Sequence, residues 1–468
     1  MRRKNVPRLD GAATPPPLLQ ARALLLIGVC WAVRSVIPPL LVLTRVLVAK
    51  DIPMNSKMLR EPAAVFAGSA LGSAVAGVLT DIYGRKLPVI LSMSLSLIGL
   101  AAIAFATDHD KLVHGHFVTG IGLGGELPSA VLLLFELAPQ SARGGVVALL
   151  GVFAGIGAMI SVGLAMALGP AIGWRQLYLA TSAVAALHIG ALYWWVPESP
   201  RWVASLSASE SGAGDYPHYR RREVGGWRLL LTKYKLATLR LIVLWTALGT
   251  ASYAFTTFIP TLISLESFKV FGTWEAMLVL HVAEVVGGSV CAYLITRRGS
   301  ARTLTMFSLL TVVNVVVLVY SPWTATTILV GSAFVFMTVT GMLSSAFASI
   351  PGEYPTLIRG RSVGVVFAIS CATNAAGVHL YPYLYNVLLV STQTIMWVVA
   401  ALLLAAILLC VDSKRRVRFV KTGSGELLWS PTASEGDNDG KEERVFPTAP
   451  VMHGDGDQLT QSLLLHEY

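Results

Sequence analysis

Residues Leu79 to Ile90 read LTDIYGRKLPVI. Asp81, Arg85 and Lys86 crowd around Gly84 between two long apolar runs, in a chain otherwise short of charge. Of the 468 residues, 54% are hydrophobic and only 13% charged, and the mean hydropathy is +0.65. A water-soluble globule carries nearer ~25% charged residues, so composition points to a membrane protein. Hydrocarbon offers the backbone no hydrogen-bond partner, which leaves helices or closed barrels as spanning structures. Barrel strands alternate apolar and polar residues, and these runs do not. The quoted stretch is therefore a tight connection between two membrane helices.

A spanning helix needs about 20 mainly apolar residues. Windows of that length predict an all-α protein with twelve spans: 22 to 48, 59 to 79, 88 to 106, 113 to 135, 145 to 168, 173 to 196, 239 to 262, 273 to 296, 303 to 320, 323 to 348, 363 to 388 and 391 to 412. The first is the least regular, because it holds Arg34, Arg45 and the pair Pro38-Pro39. Lys and Arg are retained in cytoplasmic loops. With the N-terminus inside, cytoplasmic segments hold 25 of the 36, so both termini are expected in the cytoplasm of a multi-pass protein. The net charge of +10 then reflects topology and basic loops near anionic lipid, and nucleic acid is not an expected partner.

The expected domains are a basic, proline-rich tail (1 to 21), a six-helix bundle (22 to 196), a central cytoplasmic loop (197 to 238), a second six-helix bundle (239 to 412) and a disordered tail (413 to 468). The first apolar run is too long for a signal-peptide core, so the N-terminal tail is expected to be retained. Cys30, Cys291, Cys371 and Cys410 have neither metal-site nor disulfide spacing. The two bundles repeat. ELAPQSARGG from Glu136 aligns with EYPTLIRGR from Glu353, with Pro139 opposite Pro355 at an offset of 216, and Gly84 falls opposite Gly299 at 215. Parallel six-helix repeats with a site between them near the bilayer midplane are the plan of the major facilitator transporters.

The motifs carry that resemblance. GVLTDIYGRKLPV from Gly77 resembles the superfamily's loop motif, and GIGLGGELPSAVLLLFELAPQSARG, GWRQLYL, VPESPRWVAS and EYPTLIRG resemble, in order, its sugar-porter-like branch. Within that branch the chain most resembles synaptic-vesicle-2-related and organic-ion transporters, with aromatic-acid/proton symporters near. The resemblance covers roughly residues 59 to 412 and implies a fold, not a substrate.

The charges of the quoted stretch then acquire a role. A carboxylate where two helices meet can pair with a cation or cap a neighbouring helix, and such contacts form in one state and break in another. The resemblance implies a cytoplasmic gate in which Glu136 pairs with Arg85, and Glu198 of the PESPR stretch (ending at Arg201) pairs with Arg143. Asp81 and Lys86 belong to the same gate, and Glu353 and Arg359 are the second-half counterparts. The alternative is that these charges only fix topology. In TRRGSAR, Thr296 stands at the Asp81 position, so the gating is expected to be asymmetric.

Ionisable residues inside a membrane are costly and mark function. Glu126 lies mid-span beside GIGLGG, whose glycines allow close helix approach. It is a candidate for proton or substrate handling, or else a neutral structural glutamic acid. Arg34 stands near where related transporters often carry an acidic residue, which favours an anionic solute; a pairing with Glu126 is the other reading. His281 and Glu284 share a helix face and form either a proton relay or an interhelical pair. Tyr253, Asn374 and His379 are candidate cavity groups, whereas His188 and Asn314 read as structural.

No nucleotide loop, catalytic triad or metal cluster occurs in the sequence, so no enzyme activity, cofactor or metal is expected. The expectation is a secondary transporter of a small organic solute, an organic anion favoured, coupled to protons, in the plasma membrane or a vesicle membrane. A uniporter, a carrier of cations, zwitterions or sugars, and a non-transporting receptor or scaffold stay open, as does the oligomeric state.

Overall fold

The computed structural model describes residues 16–52, 60–204, 222–255, 274–322, 324–414, 418–421 and 427–430. Eleven of its helices are long and apolar enough to cross a membrane. They are Pro17–Leu43, Arg60–Tyr83, Lys86–Ala104, His109–Leu137, Arg143–Ile172, Trp174–Trp195, Lys235–Tyr253, Glu275–Arg298, Ser300–Tyr320, Ala325–Glu353 and Arg359–Leu384. A twelfth helix, Thr392–Lys414, contains the shorter apolar stretch Gln393–Leu408. These are the first to twelfth spans, and each overlaps the window expected for it. The far end of the seventh window, 256 to 262, lies outside the described residues, as do residues 205–221 of the central loop and most of both tails. The tail beyond Lys414 is a unit by itself. Although expected to be disordered, it contains an antiparallel hairpin of Arg418–Lys421 with Leu427–Ser430.

The first span departs most from its window. It begins at Pro17, a residue suited to the first helical turn, where its missing N–H is no loss. It ends at Leu43, and a separate helix, Arg45–Asp51, follows. At the break the Thr44 hydroxyl donates to the Leu40 carbonyl at 2.7 Å and meets the Tyr178 hydroxyl at 2.6 Å. Arg45 is thereby outside the span, where its guanidinium reaches Glu61 at 3.1 Å. Pro38 and Pro39 stay within the helix and remove the N–H groups that would bond the carbonyls of Arg34 and Ser35.

The glycines of the fourth span do the packing expected of them. A Cβ on Gly124 would lie 2.0 Å from the Ser69 carbonyl oxygen of the second span, and one on Gly122 2.2 Å from Ser96 Oγ of the third. The fourth span is therefore wedged between the second and third at backbone distance. Across the two halves, the second span packs on the eleventh and the fifth on the eighth. A continuous apolar core that includes Trp31, Leu133, Trp245, Phe336 and Phe367 joins them.

Candidate functional site

Between the halves lies a cavity of about 340 Å³, within the ~300–1,000 Å³ range of small-molecule sites. The first span contributes Trp31, Arg34 and Ser35, the seventh Trp245, Gly249 and Tyr253, the eighth Glu284, and the eleventh Phe367, Cys371 and Asn374. Six of the lining residues are aromatic. Trp245 packs on Phe347 (centroids 4.8 Å apart) and Phe367 (4.7 Å), while Trp31 meets Phe347 edge-on at 5.4 Å. Tyr253 stacks on Tyr381 at 5.9 Å and is met edge-on by Phe66 at 5.4 Å.

Arg34 brings the positive charge. Its Nε donates to the Leu123 carbonyl at 3.3 Å, and its guanidinium lies over the Trp31 ring at 5.1 Å. Among the described residues no carboxylate lies within 4.0 Å of it. Glu126 feels the Arg34 charge but forms no ion pair with it. It is buried, accepts from Ser96 Oγ at 3.5 Å through one oxygen, and among the described residues has no hydrogen-bond partner for the other. It stands behind the wall, not in it. Glu284 lines the cavity while its neighbour His281 does not; the two are 3.0 Å apart, Nδ1 to Oε2, and the His281 ring meets Phe336 edge-on. His379 is exposed and outside the lining. His188 Nε2 lies 2.9 Å from the Leu26 carbonyl, and Asn314 donates to the Phe334 carbonyl, so both tie spans together.

The quoted loop ties the two halves together. Asp81 caps the eleventh span: Oδ1 accepts from the Gly360 N–H at 2.8 Å, and Oδ2 accepts from the Arg361 N–H and Nε, both at 3.0 Å. This needs the backbones of the second and eleventh spans in contact. A Cβ on Gly77 would lie 2.7 Å from both the Gly360 oxygen and the Gly364 Cα. Beside it Glu136, fully buried, receives Arg85 Nε at 3.0 Å and Arg359 Nη1 at 2.7 Å, with the Ser199 hydroxyl also donating to it. Arg85 also donates to the carbonyls of Thr80 (2.7 Å) and Thr356 (2.9 Å). The Glu136–Arg85 contact is the one expected.

Other residues expected at the gate are placed differently. Glu198 does not reach Arg143. It caps the third span instead, accepting from the N–H groups of Arg85 (2.8 Å) and Lys86 (3.1 Å). The cause is Gly84, whose φ of +93° turns those amides toward Glu198 and whose missing Cβ would lie 2.3 Å from its Oε2. Arg143 donates to the Ala138 carbonyl and lies over Phe135, a ring shared with Arg359; Arg201 lies within the field of both. Glu353 does not pair with Arg359. It is exposed on the turn Ile350–Glu353, and Arg359 crosses to Glu136 of the first half. The Lys86 ammonium lies outside this cluster, donating to the Tyr193 carbonyl at 2.6 Å.

Sequence reasoning missed Arg361, Ser199, Thr356 and the aromatic lining other than Tyr253. Arg361 had a signal, a second basic residue in the first turn of the eleventh span, where a cation meets no favourable dipole and requires an acid. In the other half, Thr296 faces Gly145, with its Cγ2 2.7 Å from where a Cβ would stand, and brings no carboxylate to the start of the fifth span.

Residues 62–378 match the sequence profile of the Major Facilitator Superfamily. The niacin transporter NiaP of Acinetobacter baylyi is 27% identical over 260 residues, 52% of this chain and 59% of that protein, less than two thirds of its length. The synaptic vesicle 2-related protein of Pongo abelii is 27% identical over 401 residues, covering 75% of this chain and 71% of the relative. Among solved structures, the proton:xylose symporter XylE superposes with a TM-score of 0.68 at 16% identity, over 84% of this chain and 96% of that one.

Proposed function

This chain belongs to the Major Facilitator Superfamily, and from that premise we propose that it moves a small organic anion across a membrane by alternating access, driven by protons. The observation that carries the anion is Arg34: a guanidinium in the wall of the central cavity, stacked on Trp31, with no carboxylate within 4.0 Å among the described residues. A buried guanidinium favours a planar carboxylate partner, and the surrounding rings suit a solute with a flat apolar body. The niacin transporter among the relatives fits that chemistry, since niacin is a ring carboxylate.

In this reading residues 22 to 196 and 239 to 412 are the two moving bundles, and the Asp81 and Glu136 contacts are the closed inner gate. Both termini and the central loop lie in the cytoplasm, with the protein in the plasma membrane or a vesicle membrane. Glu126 supports proton coupling, because a buried carboxyl with one unpartnered oxygen is costly to ionise, and it lies in the field of Arg34, which an arriving anion would change. The His281–Glu284 pair is the second candidate.

Flux tests the reading. Purified protein in proteoliposomes is expected to accumulate labelled ring carboxylates under an inward proton gradient, and Arg34→Gln is expected to abolish uptake while leaving folding intact. Uptake of neutral or cationic solutes alone, or full anion uptake by Arg34→Gln, overturns it.

A further inference from the structure

At the end of the first half opposite the Asp81 and Glu136 lock, three ionisable side chains meet that neither the cavity nor the lock uses. Glu61, in the first turn of the second span, is 5% exposed. Arg45 Nη2 donates to its Oε2 at 3.1 Å, and His109 Nδ1, from the first turn of the fourth span, stands 3.4 Å from its Oε1. That approach is not a hydrogen bond. Among the described residues Oε1 has no donor and neither ring nitrogen of His109 has a hydrogen-bond partner, although all three atoms are buried. An ionised lock such as Glu136 has both oxygens satisfied; here a carboxylate and an imidazole face each other with the bond unmade.

The surroundings define the charge balance. The short helix brings Arg45, and the second span brings Glu61 and Arg60, whose guanidinium is 3.8 Å from Asp110. The fourth span brings His114, on the Asp110 carbonyl, and His116, on the Leu112 carbonyl and within the field of Arg45 and His109. Asp108 and Lys111 pair at 3.0 Å, the sixth span offers the Tyr178 hydroxyl bonded to Thr44, and Tyr253 of the seventh lies within the field of Arg45. Arg45 and Glu61 carry opposite charges, and a proton added to His109 would place one more positive charge beside them.

We propose that His109 and Glu61 form a proton-binding site, distinct from Glu126 and from the central cavity, that ties the second span to the fourth when loaded. A proton from the aqueous phase adds to the imidazole, and the Nδ1–H of the resulting imidazolium donates to Glu61 Oε1, while Arg45 holds the other oxygen. No other bond forms or breaks. The new contact is charge-assisted, and it bears on the cavity mouth because Phe66, five residues along from Glu61, lines the cavity and meets Tyr253 of the other half.

Thermal unfolding of the purified full-length protein, without solute, between pH 5 and 8 tests this independently of what is transported. The wild type is expected to unfold roughly 2 °C or more above His109→Gln at pH 5.5 and to converge with it at pH 8, because the charge-assisted form of the contact requires the imidazolium. Glu61→Gln, which leaves the histidine in place, is expected to lose the same pH dependence, and His114→Gln to keep it. Wild-type pH dependence in either Gln variant of the pair overturns the proposal, as does its loss in His114→Gln. If His109→Gln fails to fold, Glu61→Gln decides alone.

Discussion

Asp81→Asn is the sharpest probe of the lock. The carboxylate accepts three hydrogen bonds from two successive residues of the eleventh span. An amide of the same shape has one acceptor oxygen and one NH2 group. If the oxygen keeps the Gly360 N–H, the NH2 faces the N–H and Nε–H of Arg361, and these two donors lose their acceptor at a buried site. Breaking one side of a buried ion pair costs about 3–5 kcal/mol, and the cost falls on the closed form, since the contact is absent once the spans part. At 1.4 kcal/mol per decade the closed-to-open ratio falls on the order of 10²–10³-fold. Spin labels at Tyr83 and Glu353, both exposed on opposite halves at this end, would report the separation in a background without native cysteines. The distance distribution is expected to lengthen in Asp81→Asn, with transport impaired and insertion unchanged. An unchanged distribution together with normal transport refutes the gate and leaves the charges a topological role.

Glu126→Gln is expected to abolish proton-driven accumulation while exchange of labelled for unlabelled solute survives, because the amide mimics the neutral form and cannot titrate; retained accumulation in a well-expressed variant passes the coupling role to His281 and Glu284. Thr296→Asp restores a carboxylate opposite the start of the fifth span and is expected to slow exchange several-fold by adding a second anchor to the closed gate; unchanged or faster exchange counts against an asymmetric lock. Tags at either terminus and within residues 205 to 225 are expected to resist external reagents in intact cells expressing the protein at the surface, and external labelling of the C-terminal tail would invert the orientation.

The spans, the repeat and the identity of the loop motif were legible in the sequence because each is set locally. Hydrocarbon thickness demands about 20 apolar residues whatever the neighbours, and a duplicated unit keeps its landmark prolines and glycines at one offset. Asp81 and Arg34 stood out for the same reason, as charges where solvation alone cannot keep them, whereas Glu136 was named through the family resemblance. Their partners were not legible. Arg359 reaches Glu136 across 223 residues, and Arg361 reaches Asp81 across 280, distances along the chain over which no periodicity survives. Those pairings exist because Gly77 and Gly364 let the second and eleventh spans touch. The loss of the expected Glu198–Arg143 contact has an equally spatial cause, since the left-handed turn at Gly84 presents two backbone amides to Glu198. Which carboxylates a helix charge could satisfy was a matter of residue type; which one it did satisfy followed from how closely the backbones of the two halves approach.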